Sequence, residues 1–279
     1  MLQPPPLVRT IAGVDPSSGA GITADIKTVA AHGCYGIAAI TALTVQSTAG
    51  VKQVTPVDPV LLRKTVETLI ADVKVSAVHV GMLGSGEIAA VIADFLRGTL
   101  LPNVVLDTVL VSTSGARLID DSGIQVLREK LIPLASAITP NVNEAGVLTG
   151  LAISNPDEMK QAAERLHEMG AKGVVITGGE LEKAIDILSL KRGDFQSFKS
   201  DRLDTNFTHG TGCAFSTAIA SNLAQGRPLP EAVLLAKAYV TAAIANGYPI
   251  GKGTNPVNHM YRMKNHPGGY VKKIASGRD

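Results

Sequence analysis

Short apolar runs alternate with amphipathic stretches over most of this chain. Strands are predicted at 8–14, 36–45, 77–82, 104–110, 137–140 and 172–177, and helices at 21–31, 59–72, 85–96, 122–132, 143–149 and 156–169. Two further strand-like runs, 184–190 and 195–200, read as a hairpin or as neighbours, and helices 213–224 and 230–246 close the pattern. Val104-Val105-Leu106 and Val174-Val175-Ile176 are apolar at successive positions, as strands buried on both faces must be. The 156–169 segment sets Met159, Ala163 and Leu166 opposite Lys160, Glu164, Arg165 and Glu168, the two faces of a surface helix. Strands that alternate with helices of this length imply parallel pairing through crossover helices, hence one α/β domain with a central, mostly parallel sheet. In such sheets a ligand sits beyond the carboxyl ends of the strands.

Composition narrows the classes of function. The chain has 279 residues, 45% of them hydrophobic, enough for a sizeable core. Its 26 basic and 24 acidic residues leave a net charge of +2, which gives no electrostatic footprint for nucleic acid or a membrane surface. The local excess of Arg262, Lys264, Lys272, Lys273 and Arg278 reads as a solvated basic tail. Two distant cysteines, Cys34 and Cys213, fit a reducing cytoplasm better than a disulfide framework. No signal-peptide core or bilayer-spanning run is expected.

Candidate chemistry collects at the predicted strand ends. His209-Gly210-Thr211-Gly212-Cys213 opens the helix read at 213–224. Glycines there admit a ligand close to the backbone, and free N–H groups at a helix start favour an anion, especially phosphate. Cys213 stands where a helix N-terminus would stabilise a thiolate, a potential base or nucleophile. The turn Gly13-Val-Asp-Pro-Ser-Ser-Gly-Ala-Gly21 follows the first strand and lacks the glycine spacing of a dinucleotide fingerprint. Asp25, in the helix behind it, either accepts from a ligand amine or hydroxyl or complements the helix dipole. Gln46 offers a donor and an acceptor to a heterocycle edge, or is a surface loop residue. Gly81-Met82-Leu83-Gly84 either lines an apolar slot or makes a tight turn over a core methionine.

Asp107, in the run Asp107-Thr108-Val109, is costly inside an apolar strand, so it manages a metal or phosphates or sits in a buried ion pair. In Thr139-Pro140-Asn141-Val-Asn143-Glu144 an asparagine can cap the next helix. Glu144 then completes that cap or holds magnesium. Thr177-Gly178-Gly179 reads as a backbone turn over a nucleotide, or as a plain glycine turn. Phosphate, carboxylate and apolar recognition groups at successive strand ends fit phosphoryl transfer. No Walker-type Gly-x-x-x-x-Gly-Lys-Ser/Thr occurs, so the chain is not a P-loop enzyme.

The stretches GVDPSSGAGITAD (13–25), GML (81–83), LDTV (106–109), TPNVNEA (139–145), THGTGC (208–213) and IGKGTNPVNH (250–259) resemble, in unbroken order, the hydroxymethylpyrimidine/phosphomethylpyrimidine kinases of thiamine biosynthesis. The resemblance implies a ribokinase-like three-layer α/β/α fold without a separate lid domain. The kinase domain would span 11–259, between an N-terminal segment 1–10 and the basic tail 260–279. It implies successive Mg2+- and ATP-dependent phosphorylation of the pyrimidine's hydroxymethyl group and of the resulting monophosphate, in a cytoplasmic homodimer, with a monovalent cation as a further candidate. Carried over by position, Gly13, Asp25, Gln46, Met82 and Val109 would form the pyrimidine pocket. Gly210, Thr211 and Gly212 would form an anion hole, and Cys213 would stand at the base position or position the substrate. Asp107, Asn141 and Glu144 would handle magnesium and phosphates, with Thr177 and Gly179 near the nucleotide.

Two departures from that pattern stand out. Thr177-Gly178-Gly179-Glu180 replaces a Lys-Gly-Gly-His run, so a cationic nucleotide contact would have to come from Lys183, Lys237 or Lys252. Ser18 replaces a glycine, a change expected to be tolerated if residue 18 keeps a negative φ. Pyridoxal kinases share part of these motifs and are the rival reading. A non-catalytic pyrimidine or phosphate sensor is the rival from another class.

Overall fold

A computed structural model describes residues 3–179, 181 and 184–265. The apolar runs become β1 (Leu7–Val14), β2 (Tyr35–Ser47), β4 (Ala77–Val80), β5 (Val104–Leu106), β6 (Ala137–Ile138) and β7 (Val174–Ile176). With β3 (Gly50–Pro56), β8 (Ile185–Lys191) and β9 (Asp194–Lys199) they form one sheet in the order β3-β2-β1-β4-β5-β6-β7-β8-β9. The central pairings, β2 through β7, are parallel. The outer strands β3, β8 and β9 join antiparallel. The expected mostly parallel sheet and the 184–200 hairpin are therefore both present.

Strand alternation shares the apolar side chains between two cores. Val8, Ala77, Val105 and Val175 meet α1 (Gly21–Ala31), α7 (Thr211–Ala224) and α8 (Leu229–Ala245) on one face. Ile11, Val78, Val80, Leu106 and Val174 turn the other way. There they meet α2 (Pro59–Asp72), α3 (Gly86–Gly98), α4 (Asp121–Val126), α5 (Val142–Thr149) and α6 (Pro156–Glu168). The result is the expected three-layer α/β/α arrangement.

Three differences from the sequence reading have physical causes. The pattern gave no strand at 50–56, because β3 is an edge strand whose residues all keep solvent contact and so show no buried alternation. The single helix expected at 122–132 is instead α4 followed by a π turn, Leu127–Leu131, and a 3-10 turn, Ile132–Leu134. Pro133 disfavours continued α geometry just before it, and the wider turn still buries Leu127, Leu131 and Ile132. Lastly, β4 and β5 end at Val80 and Leu106, short of the predicted 82 and 110. Leu83 and Leu110 stay buried, so the apolar pattern runs on after the backbone has left the sheet. Met82, Asp107 and Val109 consequently lie on loops above it.

The chain leaves β1 for β2 on one side of it and reaches β4 on the other side. Helix α7 packs across β1, β4 and β5 at this switch point, with α1 beside it. Ligand crevices of open α/β sheets form at such points.

Candidate active site

The floor of the site is a staple between two glycine-rich segments. Asp15 accepts through Oδ1 from the Ser17 amide (2.8 Å) and hydroxyl (2.7 Å), and through Oδ2 from the Gly19 (3.2 Å) and Ala20 (2.9 Å) amides. His209 Nε2 lies 2.7 Å from the same Oδ2. Burial alone would raise the Asp15 carboxyl, but His209 and Ser17 outweigh it and hold the group below its ordinary value. His259 Nε2 lies 3.2 Å from the Gly19 carbonyl, tying the 250–259 segment to the same turn. In the sequence these residues stand only as members of separate motifs. Their mutual contact joins positions almost two hundred residues apart.

The turn corrects the expectation for residue 18. Ser18 has φ 61°, because its amide bonds the Asp15 carbonyl (3.0 Å) while the carboxylate gathers the amides on either side. A left-handed serine costs about 1–2 kcal/mol. Ser18→Gly relieves that cost but gains unfolded-state entropy, so a net stabilisation of about 1 kcal/mol is expected. Thermal melts should show a rise of roughly 2–4 °C.

Helix α7 starts at Thr211, two residues earlier than predicted, with Gly210 as its N-cap at φ 82°. No side chain caps its first turn; the Thr211 amide bonds the Thr208 carbonyl (3.2 Å), and Gly212 is exposed, its amide left beside the turn. Thr211 anchors the start through its hydroxyl, which donates to the Thr208 carbonyl (2.7 Å).

The expected thiolate at Cys213 is corrected by its surroundings. Burial raises the thiol well above its ordinary value, and the negative charges of Asp107 and Asp25 raise it further. A hydrogen bond from the Gly21 backbone opposes this and does not prevail. The fold thus opposes ionisation of Cys213.

On the β2 side the structure brings most of the pyrimidine-pocket candidates together. Gly13 is buried, and a methyl there would come within 2.9 Å of Met82 Sδ. Met82 clusters with Ala42 and Leu118, and Val109 packs against them, an apolar patch beside Gly13. Gln46 stands farther along β2, half-buried, its Nε2 3.5 Å from His209 Nε2. Asp25 is the exception. It is fully buried: Thr10 donates to Oδ2 (2.6 Å), Thr217 donates to Oδ1 (2.9 Å), and His79 Nδ1 lies 3.4 Å away. Its helix position suggests an outward carboxylate, yet the side chain points inward to these three partners.

On the β5–β7 side, both halves of the capping box at α5 form. Asn141 Oδ1 accepts from the Glu144 amide (2.9 Å), and Glu144 Oε2 accepts from the Asn141 amide (3.1 Å). Glu144 also accepts from Thr108 Oγ1 (3.2 Å) and the Leu110 amide (3.4 Å), which draws it towards the Asp107 loop. The capping alternative is thus real, and it aims the carboxylate at Asp107. Burial pushes Asp107 up to about 6 against the pull of His79 and Ser216. Burial and then the Asp107 charge push Glu144 up to about 8.

Thr177 pairs with Asn141, and Gly179 is exposed with open space around it. Lys237, one of three lysines considered for the nucleotide, is instead half of a buried pair with Asp186 (2.7 Å). The other Asp186 oxygen accepts from the Gly178 amide (3.2 Å), so Lys237 braces the 177–179 turn from behind. Lys252 is exposed in a turn whose glycines pack on Thr48, on the β2 side of the sheet. Lys183 and Glu180 lie outside the described residues, as do Lys272, Lys273 and Arg278. Arg262 is exposed but lies over the Tyr239 and Tyr261 rings, at 5.6 and 5.5 Å from their centroids.

His79 and Ser216 were missed. His79 is a lone polar residue inside the apolar strand β4, and the desolvation argument that singled out Asp107 applies equally to it. Ser216 carries no such signal, because serine is common on a buried helix face among alanines.

Residues 15–258 match the family described as phosphomethylpyrimidine kinase. The hydroxymethylpyrimidine/phosphomethylpyrimidine kinase of Haemophilus influenzae is 42% identical over 257 residues, covering 90% of this chain and 96% of that protein. A bifunctional thiamine-biosynthesis protein of Geobacter sulfurreducens is 46% identical over 91% of this chain, which spans about half (52%) of that protein. Among solved structures, the Bacillus subtilis pyridoxal kinase in its ADP complex superposes with a TM-score of 0.87 at 37% identity, covering 94% of this chain and all (100%) of that one. The phosphomethylpyrimidine kinase of Clostridium difficile gives a TM-score of 0.77 at 41% identity, covering 86% of this chain and 99% of that one.

Proposed function

The chain belongs to the phosphomethylpyrimidine kinase family, and on that premise we propose that it phosphorylates a hydroxymethylpyrimidine and then its monophosphate at the expense of ATP. One observation carries the reading. The uncapped start of α7 lies between an apolar slot on the β2 side and a buried carboxylate pair on the β5–β6 side. A heterocycle fits the first and the triphosphate of ATP the second, so the transferring group would meet the amides of Gly212 and Cys213 between them.

Gly13, Met82 and Val109 bind the ring faces, Gln46 reads a polar edge, and Asp25 supports the pocket from beneath. The substrate oxygen bonds to the γ-phosphorus as the bond from that phosphorus to the ADP oxygen breaks. The glycine-rich start of α7 stabilises the charge spread over the transferring oxygens. Cys213, whose ionisation the fold opposes, orients the attacking hydroxyl. Little deprotonation is needed before a loose transition state, and the hydroxyl proton leaves late onto the phosphoryl oxygens. Thr177 and Gly179 lie against the nucleotide.

Magnesium fits the residues present. The Asp107 charge disfavours ionisation of Glu144, and Thr139 Oγ1 is buried beside Asp107 with no hydrogen-bond partner. No cluster of three or more metal-ligating side chains exists among the described residues, which suits an ion completed by water and substrate phosphates. When bound, that ion neutralises charge on the β- and γ-phosphates. A homodimer is supported by the exposed Ile40, Leu43 and Val45 of β2. A cytoplasmic place is in keeping with a helix set in which, among the described residues, none is long and apolar enough to cross a membrane.

The test is ADP release from Mg-ATP with hydroxymethylpyrimidine, its monophosphate and pyridoxal in parallel, for wild type and Cys213→Ala. Turnover carried through to the diphosphate is expected. Turnover on pyridoxal alone would move the substrate, and binding without ADP release would favour a sensor. As a positioning group, Cys213 should cost about 10- to 100-fold in kcat when removed, less than the roughly 10²–10⁴-fold of a general base at its upper end. The pH–rate profile should keep its shape. A loss beyond a thousandfold together with a vanished ascending limb, the rise of rate with pH that a required base produces, would return the base role to the thiol.

A further inference from the structure

A buried chain of polar side chains runs beneath the site and has no place in the steps above. His79 is fully buried in β4. Its Nδ1 lies 3.2 Å from Thr10 Oγ1 and 3.4 Å from Asp25 Oδ2, and its Nε2 lies 2.9 Å from Ser216 Oγ. Ser216 Oγ lies 3.1 Å from Asp107 Oδ2. The chain links β1, α1, β4 and α7 to the loop that carries Asp107.

Counting protons fixes its direction. Thr10 has one hydroxyl proton and spends it on Asp25, 2.6 Å away. Both neighbours of His79 Nδ1 are then acceptors, so Nδ1 must donate. Ser216 also has one proton. Its candidate acceptors are the Asp107 carboxylate, the Gly212 and Cys213 carbonyls at 3.1 and 3.2 Å, and Nε2 if that nitrogen is bare. A carboxylate is the strongest acceptor of the set. Ser216 can serve it only while Nε2 carries its own proton and donates to Ser216 Oγ. Asp25 Oδ2, 3.4 Å from Nδ1, faces the imidazole from its other side.

We propose that His79 is a positioning residue for the kinase: through Ser216 it holds one hydroxyl proton on Asp107 Oδ2 and so fixes the orientation of the carboxylate that receives the divalent cation. The proposal rests on the reading of Asp107 as a cation ligand. Hydrogen-bond partners one shell out from a metal ligand typically change affinity or activity about 10- to 100-fold.

The experiment measures Mn2+ binding to the full-length protein with ADP by electron paramagnetic resonance, alongside the Mg2+ dependence of turnover. The proteins are wild type, Asp107→Asn, Ser216→Ala, His79→Gln and the His79→Gln/Ser216→Ala double variant. Asp107→Asn should weaken Mn2+ at least a hundredfold. Ser216→Ala and His79→Gln should each weaken it about tenfold, and the double variant no more than the stronger single one, because both cut the same link. Ser216→Ala should leave the pyrimidine KM within about twofold, which a general loss of structure would not. If Asp107→Asn leaves Mn2+ binding unchanged, the ligand reading of Asp107 falls and the proposal with it. If Asp107→Asn weakens binding but His79→Gln does not, or the two single effects multiply in the double variant, the proposal alone is overturned. Should His79→Gln fail to fold, Ser216→Ala decides the matter: wild-type Mn2+ affinity in that variant overturns the link.

Discussion

Gly210→Ala will lose at least a thousandfold in kcat and about 2–3 kcal/mol of stability, the largest single-residue effect expected in this chain. Gly210 sits at φ 82°, where an alanine is strained whatever the space. Space is also lacking, since the added methyl would run into the Gly19 carbonyl oxygen. Gly19 belongs to the turn that Asp15 organises, and Asp15 is bonded to His209, the residue before Gly210. Relief by backbone movement therefore shifts the start of α7 and the 15–20 turn together. The amides proposed to face the transferring phosphoryl group lose their aim, and the proposed pocket wall moves with them. Gly212→Ala provides the contrast. A methyl there meets nothing within 4 Å, so the protein should melt within about 1 °C of wild type while turnover falls through crowding of the anion. Steady-state kinetics and thermal melts on both variants make the check. Equal stability of Gly210→Ala and Gly212→Ala would mean the two glycine segments are not rigidly coupled.

This coupling shows where the sequence was legible and where it was not. The layer architecture could be read because Val104-Val105-Leu106 and Val174-Val175-Ile176 are apolar on both faces, a pattern that only a covered parallel strand satisfies. The strand-end location of Met82, Asp107, Asn141 and Thr177 followed from the same rule. Glu144 could be placed at a helix start, yet its second partner, Thr108, comes from another strand end, so the closeness of Glu144 to Asp107 had no local signal. Asp25 misled because a helix position about one turn past a glycine loop does not say which face its carboxylate takes. Three hydroxyl or imidazole partners from β1, β4 and α7 turn it inward. Cys213 misled in a related way. A helix start lowers a thiol's value, but three aspartates brought in by the fold raise it, and burial raises it more. Local sequence reports the helix dipole and omits the acids.

Glu144→Gln should make the metal-free protein more stable at pH 8 while it impairs catalysis. A carboxyl whose folded-state value lies above its unfolded one binds its proton more tightly when folded. Ionising Glu144 therefore costs stability: nothing below its ordinary 4.5, more as pH rises towards about 8, and the full amount above that. The cause is burial first and then the Asp107 charge, and a neutral amide escapes both. Glutamine keeps its place in the capping box, accepting from the Asn141 amide as Glu144 does. Only the Leu110 amide, at 3.4 Å the longest of its three bonds, loses an acceptor. The net gain should be on the order of 2 kcal/mol at pH 8, or roughly 4–8 °C in Tm, and should largely vanish by pH 5. Activity at limiting Mg2+ should fall by about a hundredfold, because one of two carboxylates offered to the ion is gone. A variant less stable than wild type at pH 8 would show that ionised Glu144 serves α5 as a cap and stores no repulsion against Asp107. The opposite signs expected for stability and activity separate an acid kept for a cation from one kept for the fold, because a purely structural carboxylate would lose both when neutralised.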